Sequence, residues 1–335
     1  MDILNALVAF LNFVFIPAAA YGAQLALGAL GVTLIYAILR FSNFAHGDTM
    51  AFGTAVTILV TWGLQALGVS LGVLPTALLA LPVGIAATAV LVLATDRAVY
   101  RFYRAQKAAP IVFVMASVGV MFVMNGLTRL LIGVDEQRFD DGARFIINVR
   151  DFREWSGLAE GLALRSTQAL TVIVTVIVCA LLFWFLNRTK SGKAMRAYSD
   201  NEDLALLSGI DPERVVRLTW IIAAALMTIA GVLYGLDKSF RPFNYFQILL
   251  PIFAAAIVGG LGNPVGAIAG GFLVAFSEVA VTYPWVKVAG YLFPAWQPGG
   301  LLQLLGTEYK FAVSFVILIV VLLFRPTGLF RGKSV

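Results

Sequence analysis

The chain has 335 residues, 60% of them apolar and 13% charged, with a formal net charge of +6. A soluble protein is about 45–50% apolar and about 25% charged, so too few charges are present to cover a water-facing surface. The chain therefore reads as an all-α polytopic membrane protein. With one histidine, His46, and one cysteine, Cys179, it cannot build a bis-histidine haem, a histidine-rich metal centre, an iron–sulfur site or a Cys/His nucleophile pair.

Crossing the hydrocarbon core takes about 20 apolar residues in a helix. That window gives ten predicted spans: 3–20, 22–40, 48–66, 72–95, 110–133, 168–187, 215–236, 247–262, 264–283 and 309–324. The ten-residue alternation of a lipid-facing barrel is absent. Ala18-Ala19-Ala20 resembles a signal cleavage site, but no Lys or Arg precedes Arg40. A signal peptide needs a positive start, so the first run is expected to be retained. Cys179 lies in an apolar run and reads as a small buried hydrophobe.

Basic residues set the orientation. The 97–107 loop carries Arg97, Arg101, Arg104 and Lys107; the 188–217 segment carries Arg188, Lys190, Lys193, Arg196, Arg214 and Arg217; the tail carries Arg325, Arg331 and Lys333. The 134–167 loop instead has five Arg against seven acids. Retention of positive loops inside places 134–167 outside and the other three in the cytoplasm. Ten spans then put both termini inside. The net charge could suggest nucleic acid or anionic lipid, but topology accounts for it better, and no basic stripe with interleaved aromatics suggests nucleic acid. The chain is a single transmembrane domain, 1–335, with no convincing repeat, although polar breaks at Ser42–Asp48 and Gly259–Pro264 interrupt paired spans.

Residues 188–214 are the most informative stretch. Ser199 and Glu202 stand at capping-box spacing, and Asp200, Glu202 and Asp203 load a first helical turn with negative charge. Gly209 suits a left-handed helix end, and Asp211-Pro212 starts the next span. A short helix of about eight residues is expected, with Leu204, Leu207 and Ile210 on one side. An isolated helix that short is marginal in water, so it rests either on its own membrane domain or on a cytoplasmic partner.

The run Arg196–Ile210 resembles the cytoplasmic loop through which ABC importer permeases contact their ATPases, and more narrowly that of the branched-chain amino acid (Liv-type) permeases. Asn43-Phe44-Ala45-His46-Gly47, the glycine-rich Ala256–Gly271 and Phe324-Arg325-Pro326-Thr327-Gly328-Leu329-Phe330 resemble three further segments of that family. The chain departs from it in the charged 134–167 loop and the insertion-like 284–308 segment. The resemblance implies a second homologous permease, two cytoplasmic ATPases holding ATP-Mg, a periplasmic solute-binding protein, and residence in the bacterial inner membrane. It implies ATPase coupling through Ser199, Asp200, Glu202, Leu204, Leu207 and Gly209. No Walker A pattern occurs here: Ser191-Gly192-Lys193 lacks both the upstream glycine and the following Ser/Thr. This subunit is thus expected to hold no cofactor, no metal and no catalytic residue.

Gly262, Gly266 and Gly270 fall four apart and read as helix packing; Asn263, in the break before them, is a pathway candidate. His46 has no catalytic partner and is expected to order a turn, or else to contact the ATPase or gate together with Asn43. Ionisable groups inside spans are costly. Arg129 and Glu278 both fall toward the outer side, and either pair with each other or meet solute, with Asn125, Thr128 and Thr282 adding hydrogen bonds. Three rivals to an amino-acid importer are a urea, amide or aromatic-acid permease on the same scaffold, an ion-coupled secondary transporter with only Glu278 and Asp237 as coupling groups, and a structural anchor.

Overall fold

The computed structural model describes residues 1–139, 142–293, 300 and 302–330. Arg331 and Lys333 of the basic tail, and part of the 284–308 segment, lie outside them. In chain order the helices are α1 (Asp2–Leu39), α2 (His46–Ala66), α3 (Ala77–Ala105), α4 (Pro110–Ile132), α5 (Val149–Ser156), α6 (Ser166–Arg188), α7 (Lys190–Asp200), α8 (Glu202–Leu207), α9 (Pro212–Lys238), α10 (Pro242–Gly259), α11 (Pro264–Thr282), α12 (Val286–Leu292) and α13 (Lys310–Phe324). Among the described residues eight of these, α1–α4, α6 and α9–α11, are long and apolar enough to cross a membrane, and α13 is a shorter apolar helix. The only sheet described is one antiparallel pair in the 134–167 loop, β1 (Phe145–Ile147) with β2 (Leu164–Arg165).

Two expectations change. The runs 3–20 and 22–40 are one continuous helix, α1. No charge interrupts it after Asp2, and Pro17, which cannot donate to the carbonyl four residues back, is absorbed by a wide π turn at Leu11–Phe15. The N-terminus consequently sits at the end of the bundle that carries the 134–167 loop, where the Asn5 side chain accepts from Glu160 N–H at 3.2 Å. The other end of α1 meets the 188–214 segment, where Arg40 donates to the Ser199 carbonyl at 2.6 Å. Phe330 lies at that same end, bonded to Asn263. The two ends of the described chain are therefore on opposite sides of the bundle, not the same side. Likewise, most of the expected 97–107 loop is helix, because α3 runs on to Ala105 through a second π turn at Asp96–Tyr100.

The core forms around α1 and α9, which pack on each other and on α10, α11 and α2. Glycine makes these approaches possible: a Cβ at Gly271 would come within 2.6 Å of the Ala26 nitrogen, and one at Gly28 within 2.7 Å of Ile252. Where α3 and α9 meet, Thr228 donates to Thr88 at 3.0 Å. At the 188–214 end, buried Asp96 accepts a bidentate pair of bonds from Arg104 at 2.6 and 2.9 Å and one from the Trp220 indole at 2.8 Å, tying α3 to α9.

The opposite end is closed by a second polar clasp. Lys287 of α12 and the Tyr291 hydroxyl donate to Glu160 at 2.9 and 2.7 Å. Burial works to raise the Glu160 carboxyl, but these bonds and the Lys287 charge outweigh it and hold the group below the usual carboxylate range. A carboxyl depressed on folding stabilises above its unfolded pKa and loses that contribution as pH falls through its folded value. The clasp should therefore hold at neutral pH and open at acid pH, seen as faster limited proteolysis of the 134–167 loop. Glu160→Gln should already cleave faster at neutral pH and show little further acceleration; an unchanged acid response in that variant would contradict the assignment.

Candidate functional site

The segment between α6 and α9 is built by local chemistry. Thr189 caps α7, its side chain accepting from Gly192 N–H at 3.0 Å. The chain then turns extended at Asn201 (φ −153°, ψ 109°), whose side chain accepts from Leu204 N–H at 3.0 Å and so starts α8. The capping expectation thus shifts from Ser199 to Asn201: Ser199 and Asp200 belong to the last turn of α7, and α8 has six residues. Asn201 wins because it occupies the extended position from which a side-chain oxygen reaches the N3 amide. Glu202 reaches back and accepts from the Tyr198 hydroxyl at 2.6 Å. Burial first, and then Glu202, push that phenol above its ordinary value, which keeps it a donor.

Gly209, at φ +78°, closes α8. Its N–H bonds Leu206 O at 3.0 Å and Ile210 N–H bonds Ala205 O at 3.1 Å, the paired bonds of a Schellman end. Ile210 is thereby drawn toward the core with Ala205, away from the apolar side expected for it. What remains outward is Leu204 and Leu207, 61% and 84% exposed. The adjoining Asp211 side chain accepts from Glu213 N–H at 3.0 Å and opens α9. Beside α7 lies a crevice of about 170 Å³ lined by Leu34, Ile38, Met195, Ser199, Asp200 and Pro264.

Gly262, Gly266 and Gly270 divide between two roles. Gly262 (φ +83°) lies in the turn before α11 and is not on its face. Gly266 and Gly270 lie on α11 against the backbone of Gly259 and Ala255 of α10, where a Cβ would overlap those carbonyls. Asn263 caps α11, its side-chain oxygen accepting from Val265 and Gly266 N–H at 3.0 and 3.2 Å while its amide donates to Phe330 O at 2.8 Å. The chain end runs along this break: Leu329 and Phe330 N–H bond the Val258 and Gly259 carbonyls at 2.9 and 3.2 Å. The glycine-rich run and the C-terminal motif are thus one structural unit.

At the start of α2 the chain turns back beside α1. Asn43 accepts from Ala45 N–H at 3.1 Å and from the Tyr100 hydroxyl at 3.3 Å, and Phe44 N–H donates to Ser117 at 3.1 Å. His46 is fully buried against Gly31, where a Cβ would come within 2.7 Å of the imidazole. Gly31 lies eight residues short of Leu39, so α2 begins about 12 Å along α1 from its end. The imidazole does not order a turn but packs into α1, beside the Gly28 and Gly31 backbone.

Arg129 and Glu278 do not meet. Glu278, 1% exposed, accepts from Ser314 of α13 and lies beside Tyr21 of α1 and Lys310. Asn125 donates to Asp48 at 2.6 Å, and the Arg129 charge, one turn further along α4, also acts on that acid. The rule that flags Arg129, a charge inside a span, also applies to Asp48, which in the sequence stands only as the end of the Ser42–Asp48 polar break. Thr128 and Thr282 donate to their own helices, to Met124 O and Glu278 O, and so add nothing to either cluster.

The comparisons with known proteins decide the family. Residues 15–322 match the family described as "Branched-chain amino acid transport system / permease component". The chain belongs to this permease family. It is 30% identical to the high-affinity branched-chain amino acid transport system permease protein LivH of Escherichia coli (strain K12), covering 94% of this chain and 93% of that one. It is 28% identical to the BraD permease protein of Pseudomonas aeruginosa, covering 94% of each. It is 29% identical to a probable LivH permease of Methanocaldococcus jannaschii, covering 92% of this chain and 89% of that one. The protein is thus a multi-pass membrane permease.

Proposed function

We propose that this permease is the membrane-spanning subunit of an ABC importer that carries branched-chain or related hydrophobic amino acids across a bacterial inner membrane. A periplasmic binding protein would deliver the solute, two separate ATPases with ATP-Mg would supply the energy, and a second homologous permease would complete the path. The chain itself performs no covalent chemistry. Its family supports the solute class, and a 26% match over 149 residues to the LivM permease of E. coli K12 supports a homologous second permease.

The observation that carries the coupling role is α8. A six-residue helix held at both ends by side-chain and Schellman bonds presents Leu204 and Leu207 outward between two spans. Exposed leucines on a rigid short helix suit a groove on a cytoplasmic partner. Arg40 and Glu202 then link that helix's movement to α1 and α7. Retention of basic segments inside puts α7, α8 and Phe330 in the cytoplasm, and so puts the N-terminus and the 134–167 loop outside.

Leu207→Glu should leave membrane insertion intact. Recovery of the ATPases from gentle detergent extracts should fall by at least tenfold, about 1.4 kcal/mol, and solute uptake should fall with it. Gly209→Ile, which forces a β-branched residue to φ +78°, should act the same way. Equal ATPase recovery with Leu207→Glu would overturn the coupling role of α8. Recovery of this chain alone, still active in ion-gradient uptake, would overturn the ABC reading.

A further inference from the structure

We propose that Arg129 and Asn125 of α4, backed by Asp48 of α2, form the intramembrane site that recognises the α-carboxylate and α-ammonium groups of the transported solute. The proposal rests on the permease reading above and names the residues that would carry it out. Asn125 and Arg129 stand four apart on α4 and so face the same side. Arg129 is exposed, Asn125 half-buried. The Asn125 amide nitrogen donates to Asp48 at 2.6 Å, which turns the amide oxygen away from Asp48 and leaves it as an acceptor.

Asp48 itself is 1% exposed, and its second carboxylate oxygen has no hydrogen-bond partner among the described residues. A carboxylate in a span with one hydrogen bond is costly unless other charges offset it. Arg129 supplies one such charge in this structure; a solute ammonium at Asn125 would supply another. The three groups therefore present one cation, one neutral acceptor and one buried anion within a few side chains, the complement of a zwitterion. Arg129 is suited to hold a carboxylate through two parallel bonds.

The same side of α4 has room for an apolar side chain. Gly126 and Gly119 have no atom within 4 Å of a built Cβ. Phe122, 68% exposed and three residues before Asn125, lies on the same side. A charged pair on a lipid-facing surface is unfavourable, so this side of α4 is assigned to the translocation path. Asp48 acts as a positioning residue: it fixes the Asn125 amide and contributes charge from behind.

The test uses the complete transporter in proteoliposomes, with saturating liganded binding protein outside and radiolabelled leucine as solute. Arg129→Gln and Asp48→Asn should each lower uptake at least tenfold while binding-protein-stimulated ATP hydrolysis and its half-saturating binding-protein concentration stay within twofold of wild type. Asp48→Asn keeps an oxygen for Asn125 and removes only the charge, so a purely structural bond would survive it. Arg129→Lys should fall between wild type and Arg129→Gln. Uptake within twofold of wild type in Asp48→Asn overturns the site, including when Arg129→Gln fails to assemble. A wild-type complex that hydrolyses ATP and imports no amino acid overturns the underlying permease reading instead.

Discussion

Gly270→Val should prevent accumulation of folded protein. A Cβ at this position would overlap the Ala255 carbonyl, and the Gly259 nitrogen would lie only 3.0 Å away. Both obstacles are backbone, so no side chain can rotate aside. Overpacking in a well-packed core costs about 1–3 kcal/mol, and valine adds two further carbons to the clash, so at least about 3 kcal/mol is expected. Gly63, also helical, has nothing within 4 Å of a built Cβ, and Gly63→Ala should melt like wild type. Matching melting curves for the two variants in detergent would refute the close approach of α10 and α11.

Removing Asp96 should be nearly as damaging. Its carboxylate is the shared acceptor for Arg104 and Trp220, and its side chain is 7% exposed. Losing one partner of a buried ion pair costs about 3–5 kcal/mol, because the remaining charge stays desolvated. The second acid near Arg104, Glu213, is 3.9 Å away and half-exposed, so it offsets little. Asp96→Ala should therefore lower the melting temperature sharply. Asp96→Asn, which still accepts from the indole, should fall between. Equal melting temperatures for wild type and Asp96→Ala would show that the α3–α9 contact does not depend on this acid.

The spans were legible because long apolar runs bounded by polar turns carry their own lengths: 110–133 became Pro110–Ile132 and 264–283 became Pro264–Thr282. The failures were of two kinds. A hydropathy window cannot tell one 38-residue helix from two adjacent spans when no charge separates them, and that cost the placement of the N-terminus. A capping motif read from spacing found Ser199–Glu202, whereas the backbone placed the break two residues later at Asn201. Gly209 and Asp211-Pro212 were legible because glycine in a left-handed end and proline in a first turn each answer to one local constraint. Partners from distant segments were not legible. Nothing in the order of residues links Glu278 to Ser314, or Asn125 to Asp48 across 77 positions.

The chain end that lies along the α10–α11 break also bears on biosynthesis. The carbonyls of Val258 and Gly259 are freed where α10 stops, and the amides that satisfy them belong to Leu329 and Phe330. While the chain is being made, α10 and α11 must enter the membrane roughly 70 residues before their partners exist. During that interval two backbone acceptors at the 188–214 end of the bundle depend on water or on the insertion machinery. Translation of Leu329 and Phe330 thus acts as a completion step: the α10–α11 hairpin closes only once they have been made, and a ribosome that stalls before them leaves both spans inserted with these two carbonyls unpaired.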